Sequence, residues 1–342
     1  MLLDFKMELT KQEEKLLKRH REVQQHEEYQ YLHLLEDIMK NGSESDDRTG
    51  VGTKKIFGTK LKFSLRDSFP ILTTKRVYWK GVVEELLWFI RGDTNSNNLV
   101  EKGVKIWEGN TTREFLDNQG LEYPEGYIGP GYGWQWRNWD GQYQICERID
   151  DYSGQPQWKT QKYSEGVQIE HGITISNQPQ KFIGVDQLSD ALYKIKNKPD
   201  DRRIIVSAWN PSQVSCMALP PCHLLYQFQV SNGELHCQWY QRSVDTFLGL
   251  AFNISSYALL TCLMAKAANL KPGTVTFSGG DTHIYKTHFD QVKEQISRDP
   301  YPFPKLDLPD ISSLEDIEKL TLEDCKLVDY KCHKSIKAEM AV

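Results

Sequence analysis

The stretch MALPPCHLLYQFQVSNGELHCQWYQRSVDTFLGLAFNISSY (residues 217–257) predicts the centre of the fold. Apolar and polar residues alternate over 224–230, and the alternation resumes over 235–239 after the turn residues Ser-Asn-Gly at 231–233. Alternation on both sides of a turn that contains Asn-Gly is typical of a β-hairpin. We therefore expect two antiparallel strands here, followed by an apolar helix that begins after Asn253.

Reactive side chains stand at both ends of this hairpin. The prolines at 220–221 lack N–H donors and fix φ, so they hold Cys222 at the mouth of the first strand. Arg242 leaves the second strand and is followed by Ser243 and Asp245. A lone cysteine is most often a small buried residue, but a nearby cation favours the nucleophilic thiolate. The pattern predicts an anion site beside a nucleophile.

Other elements follow from periodicity. The predicted elements are an amphipathic helix over 31–38, a half-exposed strand over 56–64, an apolar helix over 79–90 and a buried strand over 204–209. The helix over 79–90 contains two adjacent glutamates, at 84 and 85. Adjacent helical positions lie about 100° apart, so we expect only one of the two side chains to face the core.

The composition is that of an ordinary soluble globular protein, with 39% hydrophobic and 26% charged residues among 342. The net charge of −5 argues against a nucleic-acid groove, so an anionic substrate needs a local basic cluster. Seven cysteines without a CxxC pair suggest neither a disulfide framework nor a zinc site. We find no secretory or membrane-spanning run and expect a reducing, cytoplasmic location.

Ten segments together resemble the signature blocks of the thymidylate synthases, folate-dependent enzymes that methylate deoxyuridylate. They occur in the order and spacing of that family, and the resemblance covers roughly residues 27–154 and 184–342. The segments are DRTGVGT (47–53), FPILTTKR (69–76), EELLWFIRGDTN (84–95), GYGWQWR (131–137), DDRRIIVSAWNP (200–211), LPPCH (219–223), QRSVD (241–245), LGLAFNI (248–254), GDTHIY (280–285) and IKAEMAV (336–342).

The resemblance implies an α+β fold, in which helices cover a large mixed β-sheet and one sheet face forms a homodimer contact. Residues 27–342 then form a single catalytic domain, preceded by a charged helical extension over 1–26. The polar segment at about 155–182 reads as an inserted surface loop, with room for a short hairpin over 166–175, and its role is not predicted.

The family's chemistry transfers onto matching residues. Cys222 is the implied nucleophile, which adds to C6 of the uracil ring, and Asn253 holds the O4/N3 edge of that ring. Glu85 is the implied proton shuttle, because a carboxyl in an apolar wall has a raised pKa, while Glu84 fits an ordinary surface glutamate. Tyr132 is expected near Cys222, where it orders water.

The implied nucleotide site is built from further polar residues. In the family the arginine pair at 202–203 crosses a dimer interface to the partner's phosphate, although a surface salt-bridge patch is the alternative. His283 and Tyr285 fall on one side of a strand and suit a ribose hydroxyl, with a metal pair as the rival interpretation. The substrate-binding residues are Arg48, Arg202, Arg203, Arg242, Ser243, Asp245, Asn253, His283 and Tyr285, and Arg242 and Asp245 also join the catalytic set.

The implied co-substrate is 5,10-methylenetetrahydrofolate, with no metal. A flat pterin needs an aromatic surface, which Trp107 offers, and a carboxylate anchor, which Asp245 offers. A free carboxylate at the chain end is expected to close over the site. The residues assigned to the folate are Lys75, Ile106, Trp107, Asn110, Asp245, Gly249, Phe252 and Ala341.

The implied reaction converts dUMP to dTMP and yields dihydrofolate. Three departures from the family pattern keep an alternative open: Ala251 stands where proline is usual, and Trp134 and Trp139 add aromatic bulk. If these changes admit water, the same covalent intermediate gives a hydroxymethyltransferase. Asn253 argues against dCMP as its substrate. A non-catalytic nucleotide- or RNA-binding protein is the remote alternative, because such a protein has no chemical use for Cys222.

Overall fold

The structure, a computed structural model, describes residues 26–46, 50–150, 156–162 and 184–339, and at 144–150 and 156–162 it describes the backbone alone. Several predictions fall outside these ranges: the N-terminal extension up to residue 25, Arg48, the possible hairpin over 166–175 and Ala341.

The described residues contain both helices and strands, and these α and β elements confirm the α+β class. The helices are α1 (Tyr29–Asn41), α2 (Trp79–Ile90), α3 (Asn97–Val100), α4 (Arg113–Asn118), α5 (Tyr132–Asn138), α6 (Gln187–Asn197), α7 (Ala251–Ala267), α8 (Phe289–Ile296) and α9 (Leu314–Lys319). The strands are β1 (Ser43–Ser45), β2 (Thr53–Ser64), β3 (Gln144–Asp150), β4 (Pro156–Lys162), β5 (Ile205–Ser207), β6 (His223–Ser231), β7 (Glu234–Asp245), β8 (Lys271–Tyr285), β9 (Lys305–Asp307) and β10 (Lys326–Val328).

The main sheet has six strands in the order β1-β2-β8-β7-β6-β5. Its pairs are antiparallel except for β7 and β8, which run parallel, so the sheet is mixed as predicted. The predicted hairpin is confirmed as β6 and β7. Asn232 and Gly233 in its turn both have positive φ, at 52° and 73°, which is the backbone that an Asn-Gly turn favours.

The second hairpin strand is longer than predicted. Ladder pairs with β8 continue to Asp245, so Arg242 and Ser243 lie inside β7 instead of beyond it. Conversely, the predicted buried strand over 204–209 shrinks to β5. It is the edge strand, with no neighbour on its outer side, and Ile205 is 45% exposed.

Helix α7 forms the centre of the core and packs against β7, β8 and α2. It begins at Ala251, two residues before Asn253, and a π-helical turn over Thr246–Leu250 precedes it. We call this element the Phe247 turn. The stretch Thr246–Ala267 is long and apolar enough to cross a membrane by composition, but 78% of it is buried inside the protein, as expected for a core helix.

Helix α2 has the predicted bounds, but the prediction for Glu84 was wrong. Both Glu84 and Glu85 are buried, at 6% and 9% exposure. Lys102 reaches over α2 and places its Nζ 2.6 Å from Glu84 Oε2. The ion pair lets the Glu84 carboxylate be buried under the side chain of Lys102. The spacing of residues within one helix could not show this contact.

Candidate active site

Cys222 immediately precedes β6, and its backbone is fixed from two sides. Its N–H donates to the Tyr132 hydroxyl at 2.7 Å, and its carbonyl accepts from the Arg242 N–H at 2.9 Å. The Arg242 guanidinium also donates to the carbonyls of Pro220 and Pro221, at 3.0 and 2.9 Å. The arginine from the end of β7 therefore holds the proline loop that carries the cysteine.

The same guanidinium lies beside the thiol. Nη2 of Arg242 is 3.9 Å from Cys222 Sγ. Burial raises the pKa of the Cys222 thiol, and the Arg242 charge lowers it by less, so the net shift is upward. In this state the thiol form is favoured at neutral pH, and the Arg242 charge is the part of the surroundings that favours the nucleophilic thiolate.

His223 is a site residue that the sequence reasoning missed. Its ring stacks on Tyr132 with centroids 4.1 Å apart, and Nδ1 shares a 2.8 Å hydrogen bond with the Tyr257 hydroxyl. Burial lowers the pKa of His223 to about 3, so the imidazole is neutral. Its position directly after Cys222 in LPPCH was the available signal.

A cavity of about 10 Å³ is lined by two of the predicted catalytic residues, Glu85 and Asn253. Glu85, His223, Asn253 and Ser256 are among its lining residues, and its size suits about one water molecule. Glu85 Oε1 accepts from Trp107 Nε1 at 2.8 Å. Burial nevertheless raises the pKa of Glu85 to about 7, so this carboxyl is poised to exchange a proton near neutral pH.

Asn253 has a set orientation. Its Oδ1 accepts from Gln241 Nε2 at 3.1 Å, and Gln241 in turn accepts from Trp239 Nε1 at 3.3 Å. Gln241 also received no role from the sequence. The chain of hydrogen bonds from a buried indole fixes which face of the Asn253 amide is presented to the cavity.

Two charged side chains, Asp245 and Lys75, hold the Phe247 turn on the other side of the site. Asp245 Oδ1 accepts from the N–H groups of Phe247 and Leu248, at 2.9 and 3.3 Å. Lys75 is buried beneath the turn, where Nζ donates to the Phe247 carbonyl and lies 3.5 Å from the centre of its ring. Burial lowers the pKa of Lys75 to about 7, although Asp245 opposes this shift.

The remaining residues assigned to the folate lie around this turn and α2. Trp107 packs against Phe89 and Tyr132, with ring centroids 6.4 and 6.0 Å away, and Asn110 is buried. Among the residues that the structure describes, nothing hydrogen-bonds Oδ2 of Asp245. A carboxylate oxygen and aromatic edges left partly open fit a flat heterocycle with N–H donors. The partly exposed members of this set are Ile106, Trp107, Asp245, Gly249 and Phe252.

The two residues assigned to the ribose lie at the end of β8. His283 pairs with Asp245 in the β7 and β8 ladder, and its Nδ1 is 2.8 Å from Asp281 Oδ1. The Tyr285 ring lies edge-on to His283, with centroids 5.1 Å apart. Ser243 is level with Asp281. Within the described ranges, no three His, Cys, Asp or Glu residues are grouped as metal ligands.

The arginine pair before β5 lies apart from these groups. The Arg203 side chain is 87% exposed and pairs with Asp201 at 3.0 Å, and Arg202 is also exposed. The described structure records no hydrogen bond from either guanidinium to a residue around Cys222.

Comparison with known proteins gives the family of the chain. The thymidylate synthase family model matches residues 29–342. A thymidylate synthase of human herpesvirus 8 type P is 48% identical over 318 residues, covering 93% of this chain and 85% of the viral protein. A putative bifunctional dihydrofolate reductase-thymidylate synthase of rice is 48% identical, with 93% of this chain and 58% of the relative covered.

A bifunctional enzyme of Paramecium tetraurelia is 49% identical, again over 93% of this chain and over 62% of the relative. This chain thus spans little more than half the length of the bifunctional relatives, but it covers most of the viral one. The family match includes every described element from α1 onward. The chain belongs to the thymidylate synthase family.

Proposed function

We propose that this protein catalyses the reductive methylation of dUMP to dTMP, with 5,10-methylenetetrahydrofolate as second substrate and dihydrofolate as second product. The supporting observation is the shared cavity: Glu85 and Asn253 line it together with His223, the direct neighbour of Cys222. A nucleophile, a proton-exchanging carboxyl and an oriented amide are the groups that addition to a uracil ring requires.

The first step belongs to Cys222. Its sulfur forms a bond to C6 of the uracil ring, and the electron pair of the C5–C6 double bond moves toward C5 and O4. Asn253 holds the O4/N3 edge with one donor and one acceptor, and Gln241 keeps that amide from turning. Arg242 fixes the cysteine's loop and lies beside its sulfur, where it favours the thiolate.

Glu85 transfers protons during the reaction. A group whose pKa is about 7 is populated in both protonation states near neutral pH, so it can give and take a proton in one cycle. The cavity beside it has room for about one water molecule to carry the proton to the ring. Tyr132 contributes by holding the Cys222 N–H.

The folate supplies a one-carbon unit and a hydride when bound. On the protein's side, Asp245 offers an open carboxylate oxygen to the pterin, while Trp107 and Phe252 offer partly exposed rings. Lys75 is engaged with Phe247 in this structure, so its part is to hold the turn against which the folate lies. The sugar of the nucleotide is bound by His283, Tyr285 and Ser243.

We further propose that the site is completed in a homodimer, in which the phosphate meets Arg242 and Arg48 of one chain and the arginine pair 202–203 of the other. The pair is exposed, and among the described residues neither guanidinium is hydrogen-bonded to the site of its own chain. One face of the sheet is also open: the row Leu225, Tyr240, Ser278 and Lys60 crosses four strands without being buried. Uncovered sheet faces invite association.

The reaction is tested by incubating the protein with dUMP and methylenetetrahydrofolate. We expect dihydrofolate absorbance to rise in step with a methylated nucleotide identified by mass. A hydroxymethylated nucleotide with no rise in absorbance would instead establish the hydroxymethyltransferase and would point to Ala251 and the tryptophan-rich segment as the place where water enters. Tight dUMP binding with no product would favour a binding protein.

The dimer is tested by mixing two inactive variants, C222S and the double variant R202A/R203A. In a mixed dimer one site has an intact cysteine and receives both arginines from the other chain. We expect recovery of about a quarter of the wild-type activity after subunit exchange, because half of the dimers are mixed and each has one intact site. No recovery, with exchange verified by mass, would contradict the shared site.

A further inference from the structure

His288 makes a contact that the proposed mechanism does not use. Its side chain is 1% exposed and lies between the end of β8 and the start of α8. Nε2 is 2.7 Å from the backbone carbonyl of Glu339, 51 residues further along the chain. A carbonyl only accepts hydrogen bonds, so Nε2 must carry the proton and donate.

The other ring nitrogen points toward Asp245. Nδ1 of His288 lies 3.9 Å from Asp245 Oδ1 and has no hydrogen-bond partner among the described residues, although it is buried. A buried polar atom without a partner is costly, so a fold that keeps one usually has a use for it. Here it turns the imidazole toward the carboxylate that we assign to the pterin.

Packing holds the ring in this direction. The centroid of the His288 ring is 5.5 Å from that of Phe247 and 5.8 Å from that of Tyr285. Phe247 is itself bonded to Asp245 through its N–H. We call the chain around Glu339 the C-terminal segment. The imidazole contacts this segment with one nitrogen, faces Asp245 with the other and packs its ring on the Phe247 turn.

We propose that His288 is a positioning residue that couples the C-terminal segment at Glu339 to Asp245 and the Phe247 turn. Through it, placement of the segment and orientation of the folate carboxylate anchor depend on each other. The inference rests on the proposed function for the role of Asp245, but the contact itself can be tested without turnover.

Three variants separate the contributions of the two nitrogens. H288F keeps an aromatic ring of similar shape and removes both. In H288Q the side-chain amide nitrogen falls near the position of Nε2 and can still donate to Glu339, whereas in H288N it falls near Nδ1 and cannot. H33F, at an exposed position on α1, controls for the loss of a histidine elsewhere.

The first measurement is the rate at which carboxypeptidase Y removes C-terminal residues, followed by intact mass. We expect roughly five- to tenfold faster removal for H288F and H288N, the factor that one buried hydrogen bond represents. H288Q and H33F should match the wild type. A wild-type rate for H288F overturns the proposal, because the contact then does not hold the segment.

The second measurement compares KM for methylenetetrahydrofolate with kcat and with the dUMP dissociation constant. We expect H288F to raise the folate KM roughly tenfold and H288Q to recover at least half of that loss, with dUMP binding unchanged in both. Faster removal of the segment with an unchanged folate KM overturns the coupling. If the wild type forms no dTMP, the proposed function fails while the proteolysis still decides the contact.

Discussion

The cysteine side of the site and the Phe247 turn use burial in different ways. Around Cys222, burial pushes three groups toward their neutral forms: it raises the pKa of Cys222 and Glu85 and lowers that of His223. At the turn, Lys75 is buried, and the charge of Asp245 opposes the downward shift of its pKa. Both places are apolar, but at the turn the charge of a carboxylate favours the charged form of a buried lysine.

This difference teaches which groups are free to react. On the cysteine side burial keeps these groups neutral, so a change in their surroundings can change their protonation state. At the turn the charged groups also hold the backbone, because Asp245 accepts from two N–H groups and Lys75 donates to a carbonyl. Protonation of Asp245 would weaken its two hydrogen bonds and loosen the π-helical turn.

The largest expected effect is the loss of the nucleophile. We expect C222S to lower kcat by at least about a thousandfold, because a serine hydroxyl is far less acidic than a thiol and is a much weaker nucleophile. The measurement is single-turnover formation of dTMP, together with a search for the covalent nucleotide adduct by mass.

Cys237 on β7 supplies the matched control. It is also buried and its thiol also has a raised pKa, about 12, but no cation lies beside it in the way Arg242 lies beside Cys222. C237A should keep its turnover and lose about 1 kcal/mol of unfolding free energy through a small cavity. If C222S stays active or C237A abolishes turnover, the assignment of the nucleophile is wrong.

The next largest effect concerns Glu85. E85Q should lower kcat by about 10²- to 10⁴-fold, because an amide cannot exchange the proton. E84Q on the same helix serves as control: it breaks the ion pair with Lys102 and should cost stability while it leaves kcat within about threefold. Equal losses of activity in both variants would mean that α2 packing, not proton transfer, is the cause.

E85Q should also be more stable than the wild type at neutral pH. Between pH 4.5 and about 7 this glutamate is ionised in the unfolded chain, but it stays protonated in the folded protein. The loss of unfolding free energy in the wild type therefore grows as the pH rises through this window, and it reaches roughly 3 kcal/mol above it. Denaturant unfolding at pH 5 and pH 8 checks this, and a stability gain that is equal at both values would contradict it.

Lys75 should show the opposite pH dependence. Its pKa is lowered from 10.5 to about 7, so between these pH values the lysine is charged in the unfolded chain and neutral in the folded protein. This difference lowers the unfolding free energy, and the loss grows as the pH falls through that window. K75M should therefore gain roughly 2 kcal/mol in stability relative to the wild type between pH 9 and pH 6.5. The test is the same denaturant unfolding at these two values.

K80M is the control for that series, since Lys80 lies in the first turn of α2 at a partly exposed position. Its stability relative to the wild type should change little across this pH range. If K75M behaves like K80M, Asp245 fully compensates the buried ammonium. The contrast between the two sides of the site would then be sharper, because the turn would hold its buried lysine at no cost in unfolding free energy.

The smallest effect is expected at Ala251. Its φ of −55° already lies in the range that proline adopts, although its N–H donates to the Gly249 carbonyl. A251P should therefore shift the unfolding free energy by less than about 1 kcal/mol in either direction. A258P, in the middle of α7, should cost about 3 kcal/mol or more. A methylated product from both A251P and the wild type would show that this departure does not admit water.

Sequence reasoning succeeded where the controlling interactions are local. The β6–β7 hairpin followed from alternation around Asn232-Gly233, and α2 followed from an apolar run between polar boundaries. The fold class followed from the family motifs. The placements of Cys222, Tyr132 and Arg242 near one another agree with the resemblance, and their roles remain predictions.

Only the tertiary structure decided the contacts between distant parts of the chain. No spacing in the sequence predicts these contacts. They are the pairs Lys102–Glu84, Tyr257–His223 and His288–Glu339. The insertion of β8 between β2 and β7 is of the same kind. Periodicity records which face of an element is apolar, whereas the pKa and the partner of a buried polar group depend on what packs against that face.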